Sequence, residues 1–372
     1  MVNRRAFLAA SAAAAVGCSR QRATRYFGWL FIASASEKAL AVADLSEFHR
    51  VATIPLGQAP AQVFRVGRKV FVTCPDGHVL YEINPETFRI AGKILFPGRI
   101  ATAAVRPDET QIAVAIEQPA AVHLVDPATR GTTKRIALPG VPKLLDLTDG
   151  MAAVSLAGSS GVIRLAIDSG KIAGTTELGM HPGILRLHGD ARLMLVGASD
   201  RGEIVTVSTD SGAILARMPL AFVPARFCFK SDMGQMFVTG FSSDELAIVS
   251  PYQSEVDQTI VAGRTPFGMT VGAMNGLELL FVTNPGSGDL TIFDIEQRRL
   301  MASVHVGSKP GEVLLTPDNE YALVVNQESG DVSVVRVKTA LDKKNKVKPL
   351  FTVFPTGADP QSAAIVPEGR QG

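Results

Sequence analysis

Aromatic and charged residues are both scarce here: one tryptophan, four tyrosines, and 19% charged residues in a chain of 372. A surface that stacks bases or tracks a phosphate backbone needs aromatic platforms and a basic excess, so nucleic acid is excluded as a partner. The 37 basic residues outnumber the 35 acidic ones only through Arg4 and Arg5, because residues 1–17 hold no acid. Cysteine is rare too. Cys74 and Cys228 are the only thiols besides Cys18. They fall four repeat units apart, on opposite sides of a ring, which argues against a disulfide. No Cys-x-x-Cys-His occurs, which removes covalent haem. Gly-x-Ser-x-Gly, a phosphate loop ending in Gly-Lys-Ser/Thr, His-Glu-x-x-His and an aspartate-rich calcium loop are missing as well.

No apolar run near the start is long enough to span a bilayer as a helix. Asn3-Arg4-Arg5-Ala6-Phe7-Leu8 and the alanine-rich run to Val16 read instead as an address. Paired arginines before Phe-Leu resemble a twin-arginine export signal. Ala15-Val16-Gly17-Cys18 resembles a lipoprotein cleavage site without the usual leucine at its first position, which makes Cys18 the lipidation candidate. Two expectations stay open for residues 1–18: lipidation at Cys18 and attachment to a membrane, or simple cleavage nearby and release into the periplasm.

What the chain does have is a period of about 42 residues. Short extended runs end at Gly57, Gly98, Gly140, Gly179, Gly263, Gly307 and Gly357, spaced 41, 42, 39, 84, 44 and 50. The spacing of 84 covers two units whose shared boundary, near Phe222, lacks glycine but keeps Pro224. A period of this length marks propellers or solenoids. Each unit holds four apolar runs separated by turn residues, the pattern of a four-stranded antiparallel meander. The spacing predicts strands over Pro266–Val271, Leu277–Thr283, Leu290–Ile295 and Leu300–Val306, with Asn275-Gly276 in the first hairpin. Asn-Gly tolerates positive φ. Arg106-Pro107-Asp108-Glu109, Thr316-Pro317-Asp318-Asn319, Asn84-Pro85-Glu86-Thr87 and Asp126-Pro127-Ala128-Thr129 are turns of the same grammar. Weak alternation in the inner strands predicts that neighbouring sheets sandwich them, and stronger alternation in the outer strands predicts half exposure.

The second strands end in Phe281-Val282-Thr283-Asn284, Phe71-Val72-Thr73-Cys74, Phe237-Val238-Thr239-Gly240 and Leu323-Val324-Val325-Asn326, and Thr-Ile-Pro-Leu-Gly closes a fourth strand at 53–57. These segments resemble the YVTN-repeat β-propeller family, over residues 26–369. The resemblance implies an all-β fold and an exported protein, and it transfers no catalytic residue. Trp29–Ser34, Ala39–Leu45 and Arg50–Leu56 make three strands that lack a first, and Gln361–Pro367 is a first strand with nothing after it. Joining these ends closes a ring of eight four-stranded antiparallel blades and removes its open edges. Seven blades is the alternative, with either 142–179 or 183–221 as something else.

In such a ring the loops from fourth to first strand and from second to third strand converge on one face. There the sequence offers Arg99, His181, Arg264 and Lys309, with Asp200, Asn284 and Asn326 beside them, as ligand-binding candidates. Four cations on one rim suit a small anionic ligand such as a carboxylate or phosphate. The plain alternative is that every propeller has polar rim loops. No second histidine or cysteine stands at ligand spacing from His181, so no metal and no cofactor is expected. Propeller quinoproteins use repeated tryptophans, which one tryptophan cannot supply. The expected function is an exported binding or scaffold module for an anionic ligand or a periplasmic protein, with no catalysis assigned. The alternative is a lactonase-like propeller hydrolase using a rim carboxylate: Asp200, Glu117 or Asp359. The lysine run between Lys338 and Pro349 reads as a solvated loop on the opposite face, or as a patch against anionic headgroups in a lipidated form.

Overall fold

The computed structural model describes residues 25–368 except Lys343, Asn345 and Lys346. Arg4, Arg5 and Cys18, on which the export and lipidation expectations rest, lie outside the described residues. Within them the chain forms eight four-stranded antiparallel sheets. Blade 1 joins the last strand, Pro360–Pro367, to the first three, Gly28–Ser34, Ala39–Asp44 and His49–Pro55. Blades 2 to 8 follow in chain order, and their innermost strands are Gln62–Val66, Ile100–Val105, Pro142–Leu147, Pro182–Leu187, Val223–Phe229, Met269–Met274 and Pro310–Leu315. The eight-blade count is therefore the observed one, and the two faint units are ordinary blades.

Closure is a regular ladder. Leu30 faces Ile365, Phe31 faces Ala364 and Ile32 faces Ala363, and the Glu368 amide donates to the Phe27 carbonyl at 3.1 Å. The turn grammar is realised as predicted. Asn275 and Gly276 have φ of +54° and +76°. The Asp126 carboxylate accepts from the Ala128 amide at 2.7 Å, and the Asn84 side-chain oxygen accepts from Glu86 and Thr87. In every blade the register between third and fourth strands slips near its outer end, as where Leu124 faces Lys134 but Val125 faces Thr132. Such a bulge increases twist and blunts the exposed outer edge.

Burial differs in one respect from the pattern expected. The second and third strands are the sandwiched ones, as in Leu193–Ala198 and Tyr321–Asn326, where every residue is buried. The innermost strand is only half covered, because one side of it faces the axis. Each pair of neighbouring blades shares its own apolar cluster, such as Phe31, Leu40, Val72 and Ile83 between blades 1 and 2. The long connection in blade 8 is not simply solvated. It begins with a helix, Val337–Leu341, whose Val337 is fully buried against blade 7, while Lys338, Lys344 and Lys348 are exposed.

The repeat signature has a physical job. Thr239 Oγ1 donates to the Phe267 carbonyl at 3.0 Å and Thr283 Oγ1 to the Gly311 carbonyl at 2.7 Å, so the motif threonine ties its blade to the next. The motif asparagine ties it to the previous one. Asn284 Nδ2 donates to Thr291 Oγ1, which donates to the Ala262 carbonyl; Asn326, Ser333 and the Val306 carbonyl repeat the chain. The periodic glycine follows that carbonyl, and a Cβ on Gly263 would lie 2.3 Å from Asn284 Cγ.

Candidate functional site

The loops from fourth to first strand and from second to third strand do share one face. Within a blade they are hydrogen-bonded to each other: Glu117 to Arg99 at 2.9 Å, Ser199 to His181 at 2.8 Å, Gly286 to Arg264 at 3.1 Å and Gln327 to Lys309 at 3.0 Å, amide to carbonyl. Arg99, His181 and Lys309 directly precede the innermost strands of blades 3, 5 and 8, whereas Arg264 lies further ahead of the innermost strand of blade 7, at the place Ser308 holds in blade 8. Arg264 and Lys309 stand on adjacent blades, whereas Arg99 stands across the ring from Arg264. Arg99 is already spent. Its Nε lies 2.9 Å from Asp76 Oδ1 and its Nη1 2.5 Å from Glu117 Oε1, and these hydrogen bonds hold it above the usual guanidinium range. His181 is exposed, with Nδ1 3.4 Å from the Ser159 carbonyl. Arg264 and Lys309 are exposed and have no ion-pair partner among the described residues. Asp200 is exposed beside Arg201, at 3.9 Å.

Asn284 and Asn326 are not on the rim surface. Both are fully buried and held by the inter-blade network, so their side chains cannot reach a ligand in solvent. Sequence position put them in a rim loop; the hydrogen-bonding demand of the buried carbonyls Ala262 and Val306, met through Thr291 and Ser333, turned them inward. Among the described residues no group of three or more histidine, cysteine or acidic side chains is placed to hold a metal ion. Cys74 is a buried thiol and Cys228 a half-buried one, pushed up to about 12 and about 11 by desolvation. Such thiols are inert.

A second polar site lies on the axis. A cavity of about 750 Å³ runs along the inner strands of blades 1, 2, 5, 6, 7 and 8, with Arg186, Arg226, Glu312, Gln62, Gln361 and Phe267 among its walls. This volume is within the range of small-molecule sites. The Arg226 guanidinium carbon sits 4.2 Å from the centre of the Phe267 ring, and its Nη1 donates to the Ala225 carbonyl at 3.1 Å. Stacking and one hydrogen bond aim the fork into the cavity without neutralising it, since among the described residues no carboxylate lies within ion-pair distance. Desolvation holds this arginine below its usual range, with Glu312 opposing and Arg186 adding to the effect. One blade back, Arg186 does have a partner, Asp146 of blade 4, at 3.2 Å. Burial pushes Asp146 upward against that arginine and against the Leu187 amide, which donates to it at 2.8 Å.

Glu312 is the unusual member. One carboxyl oxygen accepts from the Ala363 amide at 2.8 Å, across the blade 8 to blade 1 boundary. Gln62 does the same for Ala103 at 2.9 Å, and Ser362 for Val63 at 3.3 Å. A neutral amide or hydroxyl suffices for that structural role, yet blade 8, like blade 4 with Asp146 and the Leu187 amide, uses a carboxyl. Desolvation pushes it up to about 7, against the Ala363 hydrogen bond and the Arg226 charge. The cavity therefore offers a stacked cation, a carboxyl poised near neutrality and apolar walls from Phe227, Met269 and Ile365. Sequence reasoning aimed at loops passed over these four charges. Their signal was one charge inside an apolar inner strand: Leu145-Asp146-Leu147, Leu185-Arg186-Leu187, Ala225-Arg226-Phe227 and Gly311-Glu312-Val313.

No protein-family model matches the chain. No curated protein matches it in sequence. Among solved structures it is similar to the dihydro-heme d1 dehydrogenase NirN in complex with DHE, with a TM-score of 0.73 and 15% identity over 90% of this chain and 74% of that one. It is similar to AztD of Citrobacter koseri, with a TM-score of 0.68 and 14% identity over 93% of this chain and 99% of that one. A third, hydrazine synthase of Kuenenia stuttgartiensis, has a TM-score of 0.57 and 16% identity over 76% and 96%. At these identities the likeness shows the propeller fold alone. No helix among the described residues is long and apolar enough to cross a membrane.

Proposed function

We propose that this chain is an exported binding module of the YVTN-repeat kind, which holds a small anionic ligand in its axial cavity and admits it past the rim bearing His181, Arg264 and Lys309. The observation that carries this reading is Arg226, stacked on Phe267, facing a cavity of about 750 Å³ and without a carboxylate at ion-pair distance. A stacked, partly desolvated cation with no carboxylate partner among the described residues is available to an anion. Arg4, Arg5 and Cys18 supply export and a lipid anchor facing the periplasm in the same reading, and the rim serves equally as a contact surface for a periplasmic protein.

Native mass spectrometry of the mature protein from its producing cell is the direct test. A retained small mass that disappears in Arg226→Ala is the expected result, and a mass kept by that variant would sink the assignment. NirN, by name, acts on a dihydro-heme, so a dihydro-heme belongs among the masses to look for. Incorporation of labelled fatty acid, lost in Cys18→Ser, tests the anchor. One observation favours a hydrolase as second reading: a carboxyl titrating near neutrality suits general acid–base work, and Glu312 is that carboxyl. Lactone turnover abolished by Glu312→Gln would establish it.

A further inference from the structure

Resting on the reading of the axial cavity as a ligand site, we infer that it takes a carboxylate with a flat apolar body together with one proton, the carboxylate on Arg226 and the proton on Glu312. The head group follows from the charges. Arg65, Arg186 and Arg226 line the cavity against Glu312, with Asp146 committed to Arg186 at 3.2 Å and Arg65 reaching Glu109 at 3.4 Å. Arg226 is the one left to a ligand, and its planar fork matches the two oxygens of a carboxylate. The body follows from the walls: Phe227, Phe267, Met269, Leu314 and Ile365 give apolar surface beside that fork.

The proton follows from what surrounds Glu312. From blade 7, the segment Phe267–Thr270 brings it no ionisable group, and from blade 1, Gln361 and Ser362 bring none. Asp146 and Arg186 face the axis as a pair from blades 4 and 5, and Arg65 from blade 2. The charge that favours ionised Glu312 is Arg226. A ligand carboxylate bound to Arg226 cancels that charge and adds a negative one nearby, so Glu312 holds its proton more tightly. Neutral Glu312 then becomes a donor toward the ligand, while its other oxygen keeps the Ala363 amide. A cationic ligand reverses the sign, because it favours ionised Glu312 and expels the proton. The pH slope of binding therefore reports the class of ligand.

The test uses the full mature chain and three isosteric probes: 2-naphthoate, 2-naphthamide and 2-naphthamidine. Calorimetric titrations run at pH 6, 7 and 8, each in two buffers of different ionisation enthalpy, which counts protons. We expect 2-naphthoate to bind about tenfold more weakly at pH 8 than at pH 6 and to take up a proton at pH 8, because unliganded Glu312 is mostly ionised there. Glu312→Gln mimics the neutral carboxyl, so it binds at pH 8 about as tightly as the parent does at pH 6, with no proton uptake. Glu312→Ala, a second variant, also loses the slope. Naphthoate binding that keeps its slope in both variants places the proton elsewhere and overturns the inference. Tighter binding of the amidine with proton release overturns the carboxylate. Absence of naphthoate binding also overturns it, and the broader reading survives that outcome if the natively retained mass still depends on Arg226.

Discussion

Rim and axis carry similar residues and treat them in opposite ways. On the rim, Arg99 lies between Asp76 and Glu117 in water, and the exposed Arg264 and Lys309 are solvated. On the axis, Arg226 is stacked, desolvated and unpaired, and Glu312 holds its proton to about 7. Solvent screens the first set, so each charge there is worth little. Arg226 also meets the water of the channel, but the Phe267 ring and the surrounding wall desolvate it in part, so a charge there counts for more than one on the rim. The difference teaches that an abundance of rim cations is weaker evidence of a site than one misfit charge on an inner strand.

The sharpest break in the comparison would be a rim residue that matters more than an axial one. Gly263 is the rim position with the largest expected effect, for structural reasons. At φ +150° and with a Cβ 2.3 Å from Asn284 Cγ, Gly263→Val should cost about 2–4 kcal/mol in chemical denaturation. Next comes Arg226→Ala, which removes charged hydrogen bonds each worth about 1.5–3 kcal/mol and should weaken 2-naphthoate by about 10–100-fold at pH 6.

Glu312 comes third. Its folded value of about 7 lies above the ordinary 4.5, so between those values the unfolded chain binds fewer protons. Stability is then full below about pH 4.5 for this group and is lost as pH rises through 7. The expected loss is about 1–2 kcal/mol between pH 5 and 8, allowing for water in the channel, and Glu312→Gln should flatten it. The smallest effects belong to the rim. Arg264→Glu with Lys309→Glu should change naphthoate affinity less than about threefold while slowing association at low salt. Arg99→Ala should alter stability by less than about 1 kcal/mol. A rim double variant that loses capture altogether would reverse the ranking.

The ring itself was legible in the sequence because its signals are local. Period, Asx turns and the incomplete first and last units each sit within one stretch of chain, and the ladder of Phe31 against Ala364 follows from them. The site was less legible because its members are remote from one another. Arg186, Arg226 and Glu312 come from three strands, and only the ring's curvature brings them to one axis. Asn284 and Asn326 show the converse limit. A loop position says which face a residue is on, while an unmet backbone carbonyl decides whether its side chain turns outward.

Blade 1 also fixes how the protein can be mounted. Gly28 and Pro367 pair at the end of that sheet away from Ser34 and Pro360, so the first and last strands of the ring start and stop side by side on the face opposite His181, Arg264 and Lys309. A leash fastened close to either of these points, whether a resin, a fused partner or an acyl chain, would hold the ring like a dish on a stem. The mouth of the channel then looks away from the support, open to whatever diffuses past.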